Sequence, residues 1–174
     1  MTPEITITGC PYNHSSYVVD FFGTPIDVNV TSSASVVRKW LRTTLFLRRC
    51  YIGRLVVGVA VQWSPWNVGT RCLIFQLSVA TTVPSILRRF LLYPDNTFVG
   101  VWNSLDRKKL WMSEHELRID RLLDLRRYVS TDYGESLARA SLERIVEECL
   151  GYEGVRLEKH ISMNDWGDED FSYE

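Results

Sequence analysis

The sequence has little histidine or cysteine, with three of the former and four of the latter in 174 residues. Cys10, Cys50, Cys72 and Cys149 fall at no C-x-x-C spacing, and His14, His115 and His160 stand alone. That scatter excludes a zinc site and a disulfide framework, leaves no cofactor or metal to expect from these residues, and fits a reducing cytoplasmic or nuclear compartment. Neither sign of charge dominates. The 20 Lys and Arg against 21 Asp and Glu leave a formal charge of −1, which argues against an obligate, strongly basic nucleic-acid binder. No apolar run approaches the roughly 18 residues of a membrane helix, so no membrane partner is expected. The start, Met1-Thr2-Pro3-Glu4, lacks the basic and apolar regions of a secretory leader, and the Asn-x-Ser/Thr triplets at Asn13 and Asn29 read as chance. Repeats, low-complexity tracts and Pro/Gly/Ser linkers are also missing, so 1–174 reads as one domain.

What the chain does have is material for a core. Hydrophobic residues make up 45%, and 6 Trp, 8 Tyr and 7 Phe supply the large side chains, which excludes wholesale disorder. Residues 1–16 read as an N-terminal tail. Residues 17–22 and 26–31 are rich in β-branched and aromatic side chains around Gly23-Thr24-Pro25, so 17–31 reads as a hairpin. Ser32 or Ser33 offers an N-cap for a helix whose inward face is Val36, Val37, Trp40, Leu41, Thr44 and Leu45. Residues 55–63 form a short, almost continuously apolar run, the pattern of a strand buried on both faces. A turn over 64–70 leads to a second strand over 71–79, and Pro84 opens a helix to Leu92. A strand over 97–101 follows, then a helix capped by Asn103 or Ser104 and running through Leu110. Residues 121–125 read as a last strand or the start of a helix. Ser136 opens the clearest helix, which Gly151 stops, and 164–174 form an acidic tail. Strands alternating with helices after an antiparallel start indicate an α/β domain.

Several stretches then resemble one family. They are Val56-Val57-Gly58-Val59-Ala60-Val61-Gln62-Trp63, Arg71-Cys72-Leu73-Ile74-Phe75-Gln76-Leu77, and Phe98-Val99-Gly100-Val101 followed by Asp106. Leu123-Asp124-Leu125-Arg126, Ser141-Leu142 and Cys149-Leu150-Gly151 continue the series, which closes with Leu157-Glu158-Lys159, Asn164-Asp165-Trp166 and Phe171-Ser172-Tyr173-Glu174. In this order and spacing, the chain resembles the 3′–5′ exonuclease domain of the Werner-syndrome-helicase type, particularly its stand-alone plant versions. The resemblance implies a ribonuclease-H-like fold, a mixed sheet flanked by helices. It also implies a chemistry of two divalent metals held by four acids, because paired hard cations need several carboxylates on one spot.

Those acids are mostly replaced. The positions matching the family's Asp-x-Glu strand are Ala60, which offers no oxygen, and Gln62, a weak ligand for a hard dication. Asp106 matches the second motif's aspartate as a relic acid, and the final tyrosine–aspartate motif, with its C-terminal helix, is expected beyond Glu174. The seven residues 64–70 stand where the family has two antiparallel strands, so the antiparallel part reads as shortened. Asp120 or Asp124 would be the substitutes for a lost ligand, although Asp124 reads better as a capping residue and Asp106 as a helix N-terminal acid. The expectation is a pseudoenzyme with no catalytic or metal residues that works by protein–protein interaction, as a regulator, an inhibitor or an antidote-like partner, or through a homo-oligomer. The alternative is weak, non-catalytic nucleic-acid binding through Arg88, Arg89, Arg107, Lys108 and Lys109, with Trp102 and Trp111 to stack on bases. Residual metal-dependent exonuclease activity ranks below both.

Overall fold

A computed structural model describes residues 4–10, 12–49, 55–59 and 71–156. Three strands open the chain: β1 (Glu4–Gly9), β2 (Ser15–Phe21) and β3 (Thr24–Thr31). They pair antiparallel, and the β2–β3 turn places Phe22 and Gly23 at φ 50° and 80°, the left-handed conformations that a tight hairpin requires. Asp20 fixes that turn by accepting the Gly23 N–H at 2.7 Å. Helix α1 (Ala34–Leu47) follows, with Ser33 as its extended N-cap residue. Next come β4 (Val56–Gly58) and β5 (Arg71–Phe75), which go to different sheets. β5 joins β3 in parallel and completes a mixed sheet in the order β1-β2-β3-β5.

The second sheet is parallel. β4 pairs with β6 (Thr97–Gly100), and β6 pairs with β7 (Leu122–Asp124). Helix α2 (Ser85–Leu91) precedes β6, and α3 (Asp106–Met112) connects β6 to β7 after a 3₁₀ turn at Asn103–Leu105. A second 3₁₀ turn at Leu125–Arg127 leads towards α4 (Leu142–Leu150). Ser141 caps α4 by accepting the Arg144 N–H at 3.3 Å, and Gly151 ends it at φ 69°. Phe98 on the middle strand β6 is 0% exposed and sits in a cluster with Leu91, Leu110, Leu117 and Ile119. A second cluster, Ile26, Val28, Val30 and Cys72, lies on one face of the mixed sheet. The chain is therefore a mixed α/β fold with a mixed sheet and flanking helices. Among the described residues no helix is long and apolar enough to cross a membrane.

The hairpin, α1, α2, β6 and the helix after it lie where the pattern places them, and 121–125 resolves into a strand followed by a 3₁₀ turn. Four expectations are corrected. Residues 1–16 are not simply a tail, because Ile5 and Ile7 alternate with threonines in a strand. The run 55–63 is not a strand buried on both faces where it is described: Val56 is 67% exposed, since β4 lies outside β6 among the described strands. The strand expected over 71–79 stops at Phe75 because its partner β3 stops at Thr31, with one further bond from Gln76 N–H to the Thr31 carbonyl at 2.9 Å. The last helix does not open at Ser136. The Ala138 carbonyl, an early acceptor in such a helix, instead accepts from Arg126 Nη1 at 2.8 Å, and the chain makes a bridge from Ser136 to Ser130 before helix begins at Leu142. The turn at 64–70 and the acidic tail 164–174 lie outside the described residues.

Candidate binding groove

Of the relic catalytic positions, Ala60 and Gln62 lie outside the described residues. Asp106 is the first residue of α3, where the helix dipole favours its charge. Among the described residues no group of three or more His, Cys, Asp or Glu converges as a metal site would require.

The basic side chains divide differently. Residues 113–120 leave α3 and run back as a strap along the end of α2. Glu116 N–H bonds the Ser113 carbonyl at 2.9 Å in a turn that puts Glu116 at φ 46°, and Asp120 N–H reaches the Leu91 carbonyl at 3.1 Å. His115 Nε2 lies 2.8 Å from the Ala80 carbonyl, so this nitrogen carries the proton that holds the strap to the loop before α2. Beyond it the strap is extended. Leu117 and Ile119 point into the core, while Glu116, Arg118 and Asp120 point outward with the period of two.

This geometry encloses two adjoining cavities. One of about 400 Å³ lies between Arg88 of α2 and Leu92 just after it on one side and Glu114 and Glu116 of the strap on the other. The other, of about 240 Å³, is lined by Arg107 with Leu117 and Ile119 beneath it. Trp111 and Arg118 belong to both and form the wall between them. The Arg118 guanidinium stands over the Trp111 ring, 4.4 Å from its centroid, and Arg107 Nη2 donates to the Asp120 carbonyl at 2.7 Å. Both heads are thus held by neutral partners, and among the described residues neither forms an ion pair. Of the basic residues singled out in the sequence, Arg88 and Arg107 come together here. Arg89, Lys108 and Lys109 lie on exposed faces of α2 and α3 away from both cavities. The residue missed is Arg118, and its signal was the apolar–polar alternation Leu117-Arg118-Ile119-Asp120.

A second aromatic–arginine pair sits at the C-terminal ends of the parallel strands. Trp102 adopts φ 56°, a left-handed conformation that costs a bulky residue roughly 1–2 kcal/mol, yet its side chain remains 57% exposed. The Arg126 guanidinium lies 3.4 Å from its ring centroid. Arg126 is itself buried, with Nε bonded to Asp124 Oδ1 at 3.0 Å, Nη2 to Oδ2, and Nη1 to the Ala138 carbonyl. Asp124 also accepts the Arg126 N–H at 3.2 Å, which makes it the capping residue expected of it. Burial pushes the Asp124 carboxyl up, but the hydrogen bonds and charge of Arg126, with the charge of Arg127, outweigh it and hold the group below its ordinary value. Asn103 ties the strand ends together by donating from Nδ2 to the Leu123 carbonyl at 2.8 Å. The Trp102 ring thus lies exposed against a guanidinium that is itself fixed by Asp124 and the Ala138 carbonyl.

Comparison of the chain with family models, curated proteins and solved structures returns no match.

Proposed function

We propose that this chain is a non-catalytic, exonuclease-like protein of the cytoplasm or nucleus that acts by binding another protein. Its antiparallel meander followed by parallel strands and helices supports a ribonuclease-H-like reading of the fold. Ala60 and Gln62 at the motif positions support the loss of catalysis, since neither side chain ligates a hard dication well.

The observation that carries the binding role is an edge of the mixed sheet that no strand covers among the described residues. β1 is the outer strand, and its Ile5 and Ile7 are 64% and 57% exposed. The register places Ile7, Tyr17, Val28 and Cys72 in one row and Ile5, Val19 and Ile26 in the next. A face buried over β3 and β5 thus continues outward onto an uncovered strand. Natural edges are usually blunted by lysine, proline or a bulge. Here Glu4 is the strand's one charge, and the register shift comes only after Ile7. Such an edge accepts a further strand through its main chain while Ile5 and Ile7 select the side chains that pack on it.

The test is retention of a stoichiometric partner by the tagged chain, native tissue being the source, with light scattering of the purified protein. Ile5→Lys and Ile7→Lys put charge on the edge and, being surface changes, should alter folding stability by no more than about 0.5 kcal/mol. The expected result is loss of the partner, or of the homo-oligomer, with the melting curve unchanged. A strictly monomeric protein without a partner, or retention indifferent to both substitutions, overturns the reading.

A further inference from the structure

We propose that the groove between α2 and the strap 113–120 is a docking site for a partner's peptide segment bearing an acidic side chain, then an aromatic or aliphatic one, then a basic one. The proposal rests on the reading of the chain as a protein-binding one and names the chemistry of what it binds. The smaller cavity, with Arg107 and Arg118 above Leu117 and Ile119, is cationic at its mouth and apolar at its floor. The larger one, across Trp111, sets Glu114 and Glu116 opposite Arg88. The groove therefore runs from a cationic end to one of mixed charge, where two carboxylates are available to a ligand's cation.

Among the described residues Arg88, Arg107 and Arg118 form no ion pair, and neither do Glu114 and Glu116. Arg107 and Arg118 are already oriented, by the Asp120 carbonyl and the Trp111 ring, so little conformational freedom is lost when a carboxylate or phosphate engages them. Trp111 supplies a flat apolar wall where the ligand's middle side chain would lie, as interface tryptophans commonly do. A nucleic-acid strand fits less well. Its second phosphate would meet Glu114 and Glu116 as well as Arg88, whereas strands bind along grooves of one sign. A peptide of alternating sign complements both ends.

Fluorescence anisotropy with the full chain tests this with three fluorescein-labelled probes. One is an eight-residue peptide with two glutamates, a central phenylalanine and two lysines, spaced by glycines and serines. The second has its glutamates and lysines replaced by serine, and the third is a ten-nucleotide oligothymidylate. The mixed-charge peptide should bind tightest. Arg118→Ala and Arg107→Ala should each weaken it by about tenfold or more, and Glu116→Gln by a smaller factor. Ile7→Lys, remote from the groove, should leave its affinity unchanged and so separates this site from the β1 edge. No binding by any probe, equal affinity for the two peptides, or tighter binding of the oligothymidylate overturns the assignment. Each of those results leaves the β1 reading standing, because that one is read from partner retention and light scattering.

Discussion

Replacing Asp124 by alanine should be among the most damaging single changes in the described structure. Asp124 and Arg126 are a buried pair, with side-chain exposures of 9% and 10%. The arginine has two polar partners, the Asp124 carboxylate and the Ala138 carbonyl, while Trp102 covers its face. Without the carboxylate a cation stays buried with one neutral acceptor, and breaking a buried pair in this way costs roughly 3–5 kcal/mol. Against a typical total of about 5–15 kcal/mol this is a large fraction. At a urea slope near 2 kcal/mol per molar, the unfolding midpoint should fall by about 1.5–2.5 M. Asp124→Leu combined with Arg126→Met removes both charges and should recover more than half of that loss. The contribution also has a pH signature. A carboxyl held below its ordinary value of 3.8 stabilises the fold fully above that pH, and the contribution is lost as the pH falls through the folded-state value. The gap between wild type and Asp124→Ala should therefore narrow in acid. A cost below about 1 kcal/mol, or single-mutant losses that simply add in the double mutant, would refute the claim that the pair is buried and coupled.

Gly100→Ala should destabilise by about 1–3 kcal/mol, read from the same urea curves, because its Cβ would lie 2.7 Å from the Val59 carbonyl oxygen and 2.9 Å from Asn103 Nδ2. Cys72 should resist thiol reagents in the folded protein while exposed Cys10 and Cys149 react, since burial raises the Cys72 thiol from 9.0 to about 11. The same shift stabilises the fold below pH 9 and is lost as the pH rises towards about 11, a decline that Cys72→Ala should abolish. Labelled single-stranded and overhanged DNA should survive incubation with Mg²⁺ or Mn²⁺, and Ala60→Asp with Gln62→Glu should not by itself create an exonuclease; metal-dependent laddering abolished by Asp106→Ala would show otherwise.

Local pattern revealed much of the fold and less of the groove. The hairpin was legible because β-branched residues flank a glycine turn, and α2 because Pro84 suits the residue that opens a helix. The alternation Ile5-Thr6-Ile7-Thr8 carried a strand signal of its own, but with only two apolar residues it is too short to stand out from a tail. Ser136 misled because helix start signals are local, whereas the competing bond to Ala138 comes from Arg126, 12 residues earlier. Arg88 and Arg107 were identifiable as basic residues on helices. Their meeting around Trp111 and Arg118 depends on how the strap crosses α2, and neither composition nor periodicity encodes such a crossing.

The placement of β5 has a consequence for how the chain can be divided. In sequence β5 lies between β4 and β6, yet it pairs with β3, while β4 pairs forward with β6. A break between Val59 and Arg71 therefore splits both sheets at once, leaving β3 and β4 on one piece and β5 and β6 on the other. Each piece then holds one half of two parallel ladders, so neither can complete a sheet alone and each is the other's natural complement. Two such fragments produced together should reassemble through β3·β5 and β4·β6. The same long-range pairings make the intact chain fold late and cooperatively, because its N-terminal meander waits for a strand from the second half.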